Sequence, residues 1–107
     1  MIRRGFAYWA TLDKRRPVIV LSPDYRNEHA SDVIVVPCST RLRFAPTHVG
    51  LRKSEGGVPQ PSVVHCEQVA TLRKEVLSPT PLGRALSPSR MAEIERGVLR
   101  AIGVLVE

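Results

Sequence analysis

The sequence predicts a mainly β chain that ends in one helix, either an α+β fold or a small barrel closed by that helix. Three observations carry this. Residues 18–21 (Val-Ile-Val-Leu) and 33–36 (Val-Ile-Val-Val) are β-branched runs of strand length joined by turn chemistry. Residues 5–12 form an aromatic-rich run bounded by Gly5 and Asp13, and Asp13-Lys14-Arg15 leaves only hairpin length before the next strand. Near the C-terminus, Met91, Ile94, Val98 and Ile102 recur at helical spacing between Ser87-Pro88 and Gly103.

In chain order, the first strand covers residues 5–12. Trp9 within it is expected in the core, where burial dominates the energetics of a lone Trp, rather than as a base-stacking platform. The second and third strands are apolar at consecutive positions, so both of their faces should be covered. The polar link between them, residues 22–32, holds Pro23, Asp24, Asn27 and Asp32 and reads as a turn. Residues 41–46 form a basic loop, residues 47–51 alternate weakly as a short strand, and residues 54–61 are a Gly/Pro loop. Residues 62–72 read as one strong strand, followed by a turn over 73–76 and a turn or short strand around Gly83. The helix starts with Ser87 as N-cap and Pro88 at its first position, and Gly103 follows its end. Met91 to Ile102 is its core-facing stripe.

One domain accounts for 107 residues, with limited stability to spare. Sixteen Lys and Arg against ten Asp and Glu give a formal charge of +6 and a pI near 10.2. That balance points to a polyanionic partner, nucleic acid or an acidic protein segment, with solubility alone as the bland alternative. Cys38 and Cys66 sit inside apolar runs as small hydrophobes, and no Cys-x-x-Cys or His/Cys spacing supports a metal site. No apolar segment approaches membrane-spanning length and nothing secretory precedes the first strand, so a cytoplasmic protein with reduced thiols is expected. His48 and His65 have general-base chemistry but no partner pattern and are read as structural or surface residues, while His29 carries no signal.

The chemistry concentrates at one end of the second and third strands. Cations stand where the second begins (Lys14, Arg15, Arg16), and Ser39, Thr40, Arg41 and Arg43 stand where the third ends. If these strands are antiparallel neighbours, Arg16 faces Ser39 and Thr40. A guanidinium beside hydroxyls, with no carboxylate in the motif, describes an anion site, and phosphate is the expected anion.

These residues resemble the MazF/PemK-type toxins of bacterial toxin–antitoxin systems. The resemblance rests on Arg4-Gly5 opening an aromatic strand, on residues 15–22 (Arg-Arg-Pro-Val-Ile-Val-Leu-Ser), on residues 33–39, and on Ser62-Val63-Val64 with Glu67-Gln68. Residues 86–103 are similar to the family's terminal helix. The resemblance implies an SH3-like small barrel with a C-terminal helix, assembled as a homodimer. It implies a sequence-specific, metal-independent, cofactor-free endoribonuclease acting on single-stranded RNA (mRNA, rRNA or tRNA). The substrate's own 2′-hydroxyl attacks and leaves a 2′,3′-cyclic phosphate. Arg16 and Ser39 fall on the catalytic positions, with Thr40 as the alternate hydroxyl. Ser62, Glu67 and Gln68 match RNA-lining positions, and Lys14, Arg15, Arg41 and Arg43 supply the cationic groove. An acidic cognate antitoxin is the implied protein partner. A CcdB-like, gyrase-binding toxin that cuts nothing, or a degenerate RNA-binding relative, are the alternatives. The chain departs from the family at residues 13–15, where members carry a longer Gly-rich loop, and at Phe6, where an acidic residue is usual.

Overall fold

A computed structural model describes residues 1–106. Its elements run β1 (Ala7–Thr11), β2 (Arg15–Val20), α1 (Asp24–His29), β3 (Asp32–Ser39), β4 (His48–Leu51), β5 (Ser62–His65), β6 (Ala70–Arg73) and α2 (Pro88–Ala101). Single 3-10 turns lie at Glu55–Gly57 and Lys74–Val76. Among the described residues, no helix is long and apolar enough to cross a membrane.

β3 organises the sheet. One edge pairs β2, with Val18 opposite Pro37, Ile19 opposite Val36 and Val20 opposite Val35. The other edge pairs β6 from Asp32 to Val35 and then β5 at Cys38 and Ser39. β1 extends the sheet beyond β2, and β4 extends it beyond β5, all antiparallel. The expectation of a closed, SH3-like barrel is corrected here: the sheet is open, ordered β1-β2-β3-β5-β4 with β6 attached to β3, and β1 and β4 do not pair. The outer edge of β1 is met by an irregular strap instead of a strand. Ser78, Leu82 and Leu86 each donate one backbone N–H to it, at 2.9, 2.8 and 2.9 Å. Pro79 and Pro81 lack the N–H groups that a ladder there would need.

The expectation that both faces of the central strands are covered holds. Val18, Val20, Val33 and Val35 face a cluster with Ile2, Tyr8 and Leu77. Ile19, Val36 and Cys38 face a second cluster with Val64, Cys66, Met91 and Ile94. α2 closes the second cluster. Ser87 caps it by accepting the Arg90 N–H at 3.1 Å, and Pro88 sits in its first turn. Gly103 and Val104 donate to the carbonyls of Arg100 and Leu99 at 3.1 and 2.9 Å, and Gly103 has φ +87°, a Schellman ending.

Four further expectations change. The polar link holds α1, whose six residues are too few to show helical periodicity. It forms because buried Asn27 donates to the Ser22 carbonyl at 2.9 Å and shares a hydrogen bond with the Ser22 hydroxyl. The single strand over 62–72 is two, β5 and β6, broken by a turn in which Gln68 N–H donates to His65 O. Trp9 is only half-buried, its ring covered by the Arg15 guanidinium at 4.4 Å. Ile102 lies at the helix end, 67% exposed, so the core stripe stops at Val98.

Two contacts fix α2 against the sheet. Gly97 lies so close to the turn after β5 that an added Cβ would stand 2.8 Å from Cys66 Sγ and 3.0 Å from its Cβ. Arg90 forks onto Glu55, with Nε–Oε2 at 2.6 Å and Nη2–Oε1 at 3.1 Å, and Nη1 reaches Glu93 at 2.8 Å. Burial by itself would raise the Glu55 pKa, but the hydrogen bonds from Arg90 and from the Arg52 N–H outweigh it and hold it below the usual range. Burial pushes both thiols up to about 12, with a lesser push on Cys38 from Cys66 and on Cys66 from Glu67.

Two stability outcomes follow. Gly97→Ala should destabilise by about 1–3 kcal/mol through overpacking, although alanine is the better helix former by about 1 kcal/mol, and the urea midpoint should fall. Glu55→Gln should cost about 1–2 kcal/mol at neutral pH. A depressed carboxylate stabilises above its unfolded value of about 4.3 and loses that contribution as pH falls through its folded value. Urea midpoints of wild type and Glu55→Gln should therefore differ at pH 7 and converge on acidification.

Candidate active site

Because β2 and β3 are antiparallel, the start of one and the end of the other share a rim of the sheet. Continuing the Val18–Pro37 register by two residues sets Arg16 opposite Ser39. A cleft of about 590 Å³ opens at this rim, lined by Lys14, Arg16, Ser39, Thr40 and Gln68. Pro37, Cys38, Arg41, Arg43 and His65 complete the wall. Seven of the ten expected site residues thus meet in one place.

The other three lie elsewhere. Arg15 lies over the Trp9 ring and lines a separate hollow with Val76 and Ser78. Ser62 is buried and donates its hydroxyl to the Gln60 carbonyl at 2.8 Å. Glu67 is turned toward β4 and the loop before it, where it accepts the Thr47 hydroxyl at 3.1 Å and contacts His48 Nε2 at 3.2 Å. Burial would raise its pKa, but its own backbone N–H, His48 and Thr47 outweigh that and keep it below the usual range.

Arg16 is not a bare cation, and the reading of a motif without a carboxylate is corrected. Asp13, in the tight turn before β2, takes the guanidinium in a fork, Nε–Oδ1 and Nη2–Oδ2 both at 2.9 Å. That hydrogen bonding holds the Asp13 carboxyl far below the usual range and raises the Arg16 pKa further. Arg16 is therefore a permanent cation whose fork is matched to a planar, bidentate anion. Opposite it, Ser39 Oγ accepts the Arg41 N–H at 3.1 Å. The acceptor is fixed by the turn, and the hydroxyl proton is left to donate into the cleft.

Next to the cleft, β4 and β5 place His48 directly opposite His65. The two rings lie 4.4 Å apart. His48 Nδ1 is 3.2 Å from the Arg43 carbonyl. Both ring nitrogens of His65 are buried and have no hydrogen-bond partner, though Nδ1 is 3.4 Å from Glu67 Oε2.

The family model for PemK-like, MazF-like toxins of type II toxin–antitoxin systems matches residues 3–102. The chain belongs to the PemK/MazF toxin family. It is 32% identical over 114 residues to the endoribonuclease MazF of Staphylococcus saprophyticus, a match covering 97% of this chain and 93% of that protein. An endoribonuclease from a mycobacterial species, solved in complex with its cognate antitoxin, superposes with a TM-score of 0.85 at 29% identity over 100% of both chains. The Mycobacterium tuberculosis toxin MazF-mt6 superposes at 0.83 and 29% identity, over 94% of this chain and 98% of that one.

Sequence reasoning on this PemK/MazF-family chain missed two things. Asp13 bounds the first strand and opens the short hairpin, and nothing in the local sequence separates that place from a role in ion pairing. The meeting of His48, His65 and Glu67 needs the β4–β5 register, which no local spacing reveals. In this toxin Asp13 competes with any incoming anion for the Arg16 fork. Asp13→Asn should therefore tighten binding of a short, non-cleavable RNA analogue a few-fold, read by fluorescence anisotropy, with the gain shrinking as salt is added.

Proposed function

We propose that this PemK/MazF-family chain is a sequence-specific endoribonuclease that cuts single-stranded RNA by internal transesterification, with no metal ion in the chemical step. The observation that carries this is Arg16 and Ser39 facing each other in a cationic, mostly polar cleft. The substrate's 2′-oxygen forms a bond to phosphorus, the bond from phosphorus to the 5′-oxygen breaks, and the proton of the 2′-hydroxyl is replaced by one delivered to the leaving 5′-oxygen. The products are a 2′,3′-cyclic phosphate and a 5′-hydroxyl. Arg16 binds the non-bridging oxygens of the scissile phosphate and stabilises the charge that grows on them. Its raised pKa makes it an electrostatic catalyst and not a base. Ser39 donates its hydroxyl to the phosphate or orients the 2′-hydroxyl. Thr40 is exposed beside it as the alternate hydroxyl. Lys14, Arg41 and Arg43 hold flanking phosphates, and Gln68 presents an amide that reads a base edge.

The same cleft is where an acidic antitoxin segment binds. Asp13 on the Arg16 fork already shows the contact that an antitoxin carboxylate would make. Occupying the fork blocks phosphate directly, so inhibition is competitive and weakens with salt.

A second copy of the chain covers an apolar groove of about 510 Å³ beside β4, where Leu42, Phe44, Leu51 and Val63 line the wall. Phe44 is fully exposed there, and β4 is a sheet edge. An exposed Phe on an apolar groove at a strand edge is a self-association surface, and a two-fold dimer is the commonest closed solution.

Digestion of a long single-stranded RNA in EDTA should give discrete fragments with 5′-hydroxyl ends and 2′,3′-cyclic phosphates. Arg16→Ala should slow cutting by about 10²–10³-fold with an unchanged circular-dichroism spectrum. A metal requirement, 5′-phosphate products, or inhibition of gyrase supercoiling with no RNA cutting would overturn the reading. Sedimentation at micromolar concentration should give twice the 11.9 kDa chain mass, and Phe44→Glu should shift it to monomer.

A further inference from the structure

We propose that His48, His65 and Glu67 form a binding site for a borderline-soft divalent transition cation of the Zn²⁺ class, beside the cleft that holds Arg16 and Ser39. One ligand atom from each residue lies within 4.8 Å of the others. Two of the separations are 3.2 Å (His48 Nε2 to Glu67 Oε2) and 3.4 Å (His65 Nδ1 to Glu67 Oε2). Bonds of about 2.0–2.1 Å to a tetrahedral zinc give ligand–ligand edges of roughly 3.3–3.4 Å, so the pocket between these atoms has the right size.

The hydrogen bonding points the same way. A carbonyl oxygen only accepts, so the contact between Arg43 O and His48 Nδ1 puts the proton on Nδ1. Nε2 faces a carboxylate oxygen, so a cation belongs between them, either a proton on Nε2 or a metal ion in its place, and the two compete. His65 Nδ1 faces the same oxygen, and both of its nitrogens are buried without a hydrogen-bond partner. One dication satisfies all three acceptors at once. The Arg43 carbonyl on His48 and the Thr47 hydroxyl on Glu67 are the outer partners that hold metal ligands in orientation. Two imidazoles and one carboxylate select zinc-like ions over magnesium. Three protein ligands leave a fourth position for a water or an anion, and His65 is the ligand that also lines the Arg16 cleft. The site does not depend on the nuclease reading, and transesterification needs no ion there.

The test uses chelator-stripped full-length protein without RNA, titrated with ZnCl₂ by calorimetry and with CoCl₂ by visible absorption. The expected result is one equivalent per chain, the intense visible bands of tetrahedral Co²⁺, and affinity that falls as pH drops and protons compete for the imidazoles. Glu67→Gln, at a half-exposed position that preserves shape, and His65→Asn should each weaken binding by tenfold or more, while His29→Asn should leave it unchanged. Zinc should also raise the melting temperature of wild type and not of Glu67→Gln. Absence of saturable binding, equal heats with MgCl₂, or zinc affinity unaltered in folded Glu67→Gln and His65→Asn would overturn the assignment.

Discussion

Val35 and Val36 are neighbours in the chain and point to opposite faces of the sheet, and both are completely buried. The structure depends on that constraint. A strand with apolar groups on both sides cannot stand at a solvent face, so β3 has to lie in the middle, with elements above and below it. α2, with Met91 and Ile94, covers one side. The N-terminal segment through Ile2, together with Leu77 and the partly buried Phe6, covers the other. The backbone follows the same demand. β3 has eight residues and spends both edges on partners, β2 on one and β6 then β5 on the other. Once β3 is central, Ser39 at its end and Arg16 at the start of β2 are neighbours by register.

The site is thus a by-product of where the core stops. Side chains inside the two clusters are apolar, so the polar groups collect at the rim where β2 begins and β3 ends. Four cations line the cleft at this rim, Lys14, Arg16, Arg41 and Arg43, and Asp13 is drawn into their field. A turn of three residues has no length to form a lid. It supplies one carboxylate instead, placed three residues before Arg16, where the turn brings it into bidentate reach. A small exposed ion pair of this kind is weak in water. It therefore orients the guanidinium in the free protein and is weak enough for a more highly charged anion to displace it.

Much of the fold was legible because the informative residues carry their own local signal. Ser87-Pro88 and Gly103 mark the ends of α2 by capping chemistry that depends on neighbours in sequence, and the doubly apolar runs mark β2 and β3. Arg16 opposite Ser39 could be read because one assumption, antiparallel pairing, fixes it. The failures have the opposite character. An open sheet and a closed barrel contain the same strands, and which one forms depends on pairing between distant segments that no local pattern records. Trp9 is only half-buried and carries Arg15 over its ring, a diagonal contact across the hairpin that apolar patterning does not encode. α1 depends on Asn27 reaching back to Ser22, and the His48–His65 pair on a register between strands with a loop of ten residues between them.

The turn after β5 shows how the parts are joined. Four consecutive residues serve three different neighbours. His65 lines the cleft, and Cys66 packs its sulfur under Gly97 of α2 while its N–H donates to Thr47 O at 3.0 Å. Glu67 reaches back to Thr47 and His48 before and within β4, and Gln68 returns to the cleft. The alternation follows from the pleat and the turn, which send successive side chains in different directions. As a result the cleft wall is not a free loop. Its position is set by how closely α2 approaches Cys66, and only a glycine at position 97 permits that approach. The core and the site are coupled through one sulfur–backbone contact, so a change in helix packing reaches the cleft through Cys66, the residue next to His65, without touching any residue that lines it.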